Sequence, residues 1–300
     1  MSQFIERFAT VGTFDGVHLG HRLVLNDLKM FAMQTGTRPT AFVMKNHPLT
    51  LVRPADAPKE LTGFEEKRAL IEKEGVEVIP IEFTEQVRSE SSAEFMRRIR
   101  DEYGVKGVLV GYDNRFGCDR DSTFEDYRRE GLSLGIRVEE APEIPGISST
   151  AVRRLISQGK MWEAYEMLGR YYNLTGTVVH GAHLGHRIGF PTANLQPDCP
   201  NRLLPAPGVY KTYVRIEGEW EGFLGVTNIG RRPTVEKSPD SSVSIETHII
   251  DESGDFYGRR MELLFVGRLR GEERFPSLEA LKEQIARDIE AVCKSEEFEF

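Results

Sequence analysis

The feature that most constrains this chain is a change of rhythm near its middle. Up to about residue 168, strand-like and helix-like runs alternate. Beyond it, only short strand-like runs follow until one last helical stretch. In the first part, Phe8–Val11 reads as a strand ending at Gly12. A helix over His18–Thr35 presents Val24, Leu28, Phe31 and Ala32 on one face and stops at Gly36. Thr40–Met44 reads as strand, Phe64–Glu74 as helix closed by Gly75, and Val76–Ile81 as strand again. Ser91 and Glu94 form a capping-box pattern that opens a helix to about Tyr103, followed by an apolar strand over Gly107–Val110. Ser122 and Glu125 repeat the pattern before a strand over Arg137–Ala141. This order predicts an α/β fold with a doubly wound, mostly parallel sheet, whose ligands sit at the carboxyl ends of strands.

A helical stretch over Ser149–Leu168 closes that part. Five short β segments follow, at Leu174–Val179, Val209–Ile216, Phe223–Val226, Val243–Ile250 and Met261–Phe265, split by Gly and Pro. Such spacing predicts a small antiparallel barrel or sandwich. Ser277 is placed to cap a terminal helix carrying Leu278, Leu281, Ile285, Ile289 and Val292 on one face. The boundary falls near residues 155–170, giving domains 1–165 and 166–300.

Charge and cysteines narrow the function. A net charge of −8 is the wrong sign for the broad basic footprint of a nucleic-acid binder, but small anions need only a few local donors. No run of eighteen apolar residues predicts a membrane span, and the N-terminus has no signal-peptide pattern. Cys118, Cys199 and Cys293 are scattered and odd in number, which fits a reducing cytoplasm and no zinc site. Oligomeric state is not readable.

The first chemical constellation lies where the first strand gives way to a helix: Gly12-Thr-Phe14-Asp15-Gly16-Val-His18-Leu-Gly20-His21. Glycines let backbone approach a ligand, and the N–H groups of a helix start favour phosphate. His18 and His21, three apart, can face one ligand and stabilise charge building at phosphorus. For a bare HxxH the plainer account is a cap and an exposed helix residue. The full string resembles the HxGH signature of nucleotidyltransferases, in the form found in bacterial flavin-adenine-dinucleotide (FAD) synthetases. Gly111-Tyr-Asp113-Asn114-Arg-Phe116-Gly117 resembles that family's GxDFRFG loop, with Asn114 where an aromatic stands. Ile147-Ser148-Ser149-Thr150-Ala-Val-Arg153 resembles its ISSTxxR, whose hydroxyls and arginine would hold phosphates; plain N-capping is the alternative use of those hydroxyls. His47-Pro48 resembles a family HP after the second strand.

The second constellation is Gly185-His186-Arg-Ile-Gly189-Phe190-Pro191-Thr192-Ala-Asn194-Leu195. Gly and Pro shape a turn that presents a hydroxyl and an amide, hard oxygen donors suited to magnesium and the phosphates it bridges. A capped proline turn would use the same residues. The string GFPTANL resembles the riboflavin kinase domain, and the order of later motifs follows it. Those motifs are Pro207–Tyr210, the Gly225–Thr234 loop with Asn228, Ser244-Ile-Glu246-Thr-His248, and Tyr257-Gly258. By that resemblance Glu246 is the general base for the ribityl 5′-hydroxyl. Period two puts Ser244, Glu246 and His248 on one face of their strand and Val243, Ile245 and Thr247 on the other. The family has Arg where His186 stands and often Pro where Gly271 stands. His180, His183 and His186, evenly spaced by three, match no common metal-ligand pattern.

The resemblance covers nearly the whole chain. It implies a Rossmann-like nucleotidyltransferase followed by a small β-barrel kinase with a terminal helix. It further implies Mg²⁺ and ATP, with riboflavin, flavin mononucleotide (FMN) and FAD as substrates and products. The other reading is a riboflavin kinase whose first half is inactive.

Overall fold

The computed structural model describes residues 5–111, 116–119, 123–142, 144–181, 185, 188–231, 243–252 and 254–294. The chain divides into two compact units, Met1–Ser149 and Thr150–Phe300.

The first unit is built on a five-stranded sheet in the order β3-β2-β1-β4-β5. Its strands are β1 (Arg7–Gly12), β2 (Arg38–Met44), β3 (Glu77–Ile81), β4 (Val105–Val110) and β5 (Arg137–Glu140), and every pairing is parallel. Helices cover both faces, so the central strands are apolar throughout: Ala41, Phe42, Val43 and Met44 are consecutive and all buried. On one face, Leu25, Leu28 and Ala32 of α1 (Leu19–Thr35) and Ile71 of α3 (Phe64–Lys73) pack with Phe8, Ala41 and Val43. On the other, Phe95, Met96 and Ile99 of α5 (Ser92–Tyr103) and Tyr127 of α6 (Phe124–Leu134) pack with Ala9, Val11 and Phe42. The strand order reverses between β1 and β4, and the crevice outside their carboxyl ends is where such sheets bind ligands.

Several local expectations shift. The Ser91–Glu94 capping box forms, but the second box is Thr123 with Asp126, one residue beyond the expected pair. Ser122 lies outside the described residues. Two short helices, α2 (Pro48–Val52) and α4 (Glu85–Ser89), arise at the carboxyl ends of β2 and β3; single turns leave no periodic signal. The helical stretch over 149–168 is broken at a turn into α7 (Ser149–Ser157) and α8 (Met161–Leu168).

The second unit contains a closed antiparallel barrel, β10-β7-β6-β11-β8-β9. Its strands are β6 (Tyr172–Val179), β7 (Ala193–Pro197), β8 (Gly208–Ile216), β9 (Phe223–Arg231), β10 (Val243–Ile249) and β11 (Arg260–Arg270). Strand β7 was hidden in the sequence because its residues belong to the GFPTANL turn pattern. Two register shifts in β11, at Phe265/Gly267 and Arg268/Arg270, let this long strand bend as the barrel closes. Inside, the hydroxyls of Thr212, Thr227 and Thr247 form a chain across β8, β9 and β10, with links of 2.7 and 2.9 Å. Helix α8 packs on β6 and β11. The terminal helix α9 (Leu278–Lys294) begins under a Ser277 cap, whose hydroxyl accepts from Ala280 N–H at 3.2 Å.

Candidate active sites

In the first unit, β1 ends in a loop held by unusual backbone. Phe14 and Val17 take positive φ values of 47° and 39°, and Gly16 takes 83°. Positive φ in a β-branched residue such as Val17 is costly and persists only where the surroundings fix it. Here they do so through the segment before α3. The Asp15 carboxylate accepts from Leu61 N–H at 3.0 Å and Thr62 N–H at 3.1 Å. Thr62 Oγ1 accepts from Gly16 N–H at 3.0 Å. Asp15 and Gly16 are therefore bonded to the segment that holds the loop's shape. Ser149, 134 residues further on, donates its hydroxyl to the Asp15 carbonyl at 2.8 Å. The loop after β1 and the Ile147–Ser149 segment are thereby brought together.

His18 caps α1: its Nδ1 accepts from His21 N–H at 3.3 Å, so the ring proton sits on Nε2. Its imidazole stacks on that of His21, with centroids 3.7 Å apart and planes 15° apart. His21 Nδ1 is shut off from solvent and has no hydrogen-bond partner among the described residues. Burial, then the neighbouring His18 and Lys67, hold its pKa well below the usual 6.5. A neutral imidazole stabilises charge by hydrogen bonding and brings no net charge of its own. The cap expected of a bare HxxH is thus present at His18. At Gly20, a Cβ would come within 3.1 Å of the His18 ring, so glycine leaves that ring its place.

Gly111 continues β4 beside β1, at the reversal of strand order. Asp113 and Asn114 lie outside the described residues. Phe116 packs between Phe95 and Tyr127, at centroid distances of 5.3 and 4.8 Å. Cys118 N–H donates to Glu90 O at 2.8 Å, and Ser92 N–H donates to Asp119 at 2.8 Å, fixing the far end of this loop to the start of α5. Ser148 belongs to the first unit; Thr150 and Arg153 follow on α7 in the second. His47 caps α2, its Nδ1 accepting from Leu49 N–H at 3.2 Å.

In the second unit, strand register assembles the site. Asn194 of β7 pairs with Glu246 of β10, Glu246 with Asn228 of β9, and Asn228 with Val209 of β8. One row across four strands thus carries three of the candidate residues. Ile245 and Thr247 point inward and are buried, which turns Glu246 and His248 outward. There they line a cavity of about 350 Å³ with Thr192 and Asn228. The opposite wall includes Leu281, Ile285 and Asp288 of α9. Asp288 interrupts the apolar stripe and, itself buried, pairs with the half-buried Arg270 at 2.8 Å. Arg270, Glu272, Glu273 and Phe275 also line the cavity. Sequence reading missed these, since Leu281 and Ile285 look like ordinary core and only Asp288 breaks the pattern.

The GFPT turn precedes β7. Gly189 has φ +89°, and Phe190 N–H donates to Gly185 O at 2.9 Å. A Cβ on Gly185 would lie 3.1 Å from Thr192 Oγ1, and one on Gly181 would lie 2.2 Å from the Asn194 amide. The two glycines therefore clasp the Thr192 and Asn194 side chains, and Pro191 sits between them in the turn. His183 and His186 lie outside the described residues, and His180 stacks on Tyr257 at 3.8 Å. Among the described residues, no three His, Cys, Asp or Glu side chains gather as a metal cluster.

Comparison with known proteins adds the following. An FAD synthetase family model matches residues 2–153, and a riboflavin kinase family model matches residues 168–295. A bifunctional riboflavin kinase/FMN adenylyltransferase from Pseudomonas fluorescens is 39% identical over 289 residues, covering 94% of this chain and 91% of its own. One from Escherichia coli K12 is 34% identical over 285 residues, covering 93% and 89%. A solved structure described as a macrolide-efflux protein from Streptococcus pneumoniae superimposes with a TM-score of 0.86 at 27% identity, over 97% of this chain and 95% of that one. Among the described residues, no helix is long and apolar enough to cross a membrane.

Proposed function

The chain belongs to the family of bifunctional riboflavin kinases/FMN adenylyltransferases, and from that premise we propose which of its residues carry each reaction. In the first reaction, riboflavin and ATP give FMN and ADP. In the second, FMN and ATP give FAD and pyrophosphate. The match of an FAD synthetase model across residues 2–153 supports both activities over a kinase with an inactive first half.

The kinase assignment rests on one observation: Glu246, Asn194 and Asn228 share a register row, and Glu246 opens with Thr192 onto the cavity beneath α9. Glu246 accepts the proton of the ribityl 5′-hydroxyl as its oxygen bonds to the γ-phosphorus and the bond to ADP breaks. Thr192 and Asn194 offer hard oxygen donors in a fixed turn, and the glycine clasp at 181 and 185 fits that use. Bound there, Mg²⁺ would neutralise phosphate charge. Gly189 and Pro191 shape the turn, and Asn228 offers an amide to the same cavity.

For adenylyl transfer, an FMN phosphate oxygen attacks the α-phosphorus of ATP and pyrophosphate departs. That phosphate is largely ionised near neutral pH, so no general base is needed. His18 and His21 supply hydrogen bonds to the phosphates, with the Leu19 and Gly20 N–H groups at the helix start. Gly12, Phe14, Asp15 and Gly16 give the loop its shape. Ser149 donates a hydrogen bond to the Asp15 carbonyl oxygen and braces that loop. Ser148 donates a hydrogen bond to the departing phosphates in this scheme. Asp113, Thr150 and Arg153 keep the nucleotide-holding roles the family resemblance gave them. Three scattered cysteines, an odd number, fit a cytoplasmic setting.

The test follows both products by chromatography. Glu246→Gln should lower FMN formation roughly 10²–10⁴-fold and leave FAD formation from FMN near wild type. His21→Ala should do the reverse, by roughly 10²–10³-fold. Loss of both reactions in either folded variant would contradict two separate sites.

A further inference from the structure

We propose that His248 is a positioning residue for the kinase reaction, tying the GFPT turn to the strand that carries Glu246. The proposal rests on the kinase reading above. Pairing of β10 with β7 runs through Glu246–Asn194 and Thr247–Ala193. The next antiparallel pair would be His248 with Thr192, and the ladder ends before it. The His248 side chain takes over at that point: its Nδ1 lies 2.8 Å from the Pro191 carbonyl oxygen. A carbonyl only accepts, so Nδ1 carries the proton and the tautomer is set. The same imidazole meets the Phe190 ring edge-on, with centroids 5.7 Å apart and planes at 87°.

The turn is therefore held at two adjacent residues by one side chain. Proline already fixes φ at Pro191, and holding its carbonyl fixes ψ as well. With both dihedrals set, the place of Thr192 follows. His248 lies two residues beyond Glu246 on the same strand face, and both line the cavity. The general base and the metal-side hydroxyl are thus linked through one short, stiff path. His248 acts through Thr192, so its loss should be felt in the use of ATP more than in riboflavin binding.

Two full-length variants separate this role from simple packing. His248→Phe keeps a ring against Phe190 and removes the donor. His248→Asn puts an amide nitrogen at the same bond distance from the backbone as Nδ1. In steady-state riboflavin phosphorylation, His248→Phe should lower kcat/KM for ATP roughly ten- to a hundredfold, as loss of an outer partner of a metal ligand does. KM for riboflavin should move less, and His248→Asn should recover most of the loss. Amide hydrogen exchange over residues 188–195 of the unliganded protein should quicken in His248→Phe and return towards wild type in His248→Asn. Unchanged exchange in His248→Phe, or an Asn variant no better than Phe, would overturn the proposal. A wild-type protein without riboflavin phosphorylation would refute the kinase reading alone, since the exchange measurement still decides whether His248 holds the turn.

Discussion

At the scale of single residues, His21 has the most consequential environment. Its folded pKa lies below the unfolded value of 6.5, so below that pH the unfolded chain binds the extra proton. Stability from this group is complete above pH 6.5 and is lost as pH falls towards the folded value. Urea unfolding of the first unit should therefore weaken between pH 7 and pH 5, and His21→Asn should flatten that slope. An identical slope in both proteins would exclude His21 as its source. The family was legible in the sequence, because GTFDGVHLGH and GFPTANL are dense and specific strings. Roles were less so. Asp15, Gly16 and Ser149 read as ligand contacts, and in the structure they also bond to Leu61, Thr62 and one another. Those partners lie 46 to 134 residues away, a separation that local pattern does not report.

Among the elements, the parallel sheet was readable because its strands and helices differ in period and their caps are explicit. The barrel was read as strands without their full extent. Barrel closure lengthened β9 and β11 and recruited β7 from residues that look like a turn. Helix α9 shows how a polar residue inside an apolar stripe changes meaning once its partner is known. Asp288 is buried against a half-buried Arg270, so Asp288→Ala leaves that guanidinium without its carboxylate, with the Gly271 carbonyl as a remaining acceptor. The expected loss of second-unit stability is about 1.5–3 kcal/mol, whereas the double change Arg270→Met with Asp288→Leu should cost much less. Denaturant melts of the three proteins decide this, and equal losses would mean that packing of α9, not charge, holds that wall.

For the whole molecule, the sequence placed the division at 165/166, while the second compact unit begins at Thr150. The two family models leave residues 154–167 between them. Those residues include most of α8, whose Met161, Ala164 and Leu168 are buried and whose helix packs on β6 and β11. Each large apolar side chain so buried contributes roughly 2 kcal/mol. A fragment of residues 150–300 should therefore unfold at clearly higher urea than one of residues 170–300, and equal midpoints would show that α8 adds nothing to the barrel. Closure of that barrel also sets an order of events during synthesis. Strand β6 pairs with β11, Tyr172 against Phe265, so the seam cannot form until β11 has left the ribosome. The first sheet has its last strand by Glu140. One half of the molecule can fold while the ribosome is still translating the other, which must wait for β11 with its strand edges open.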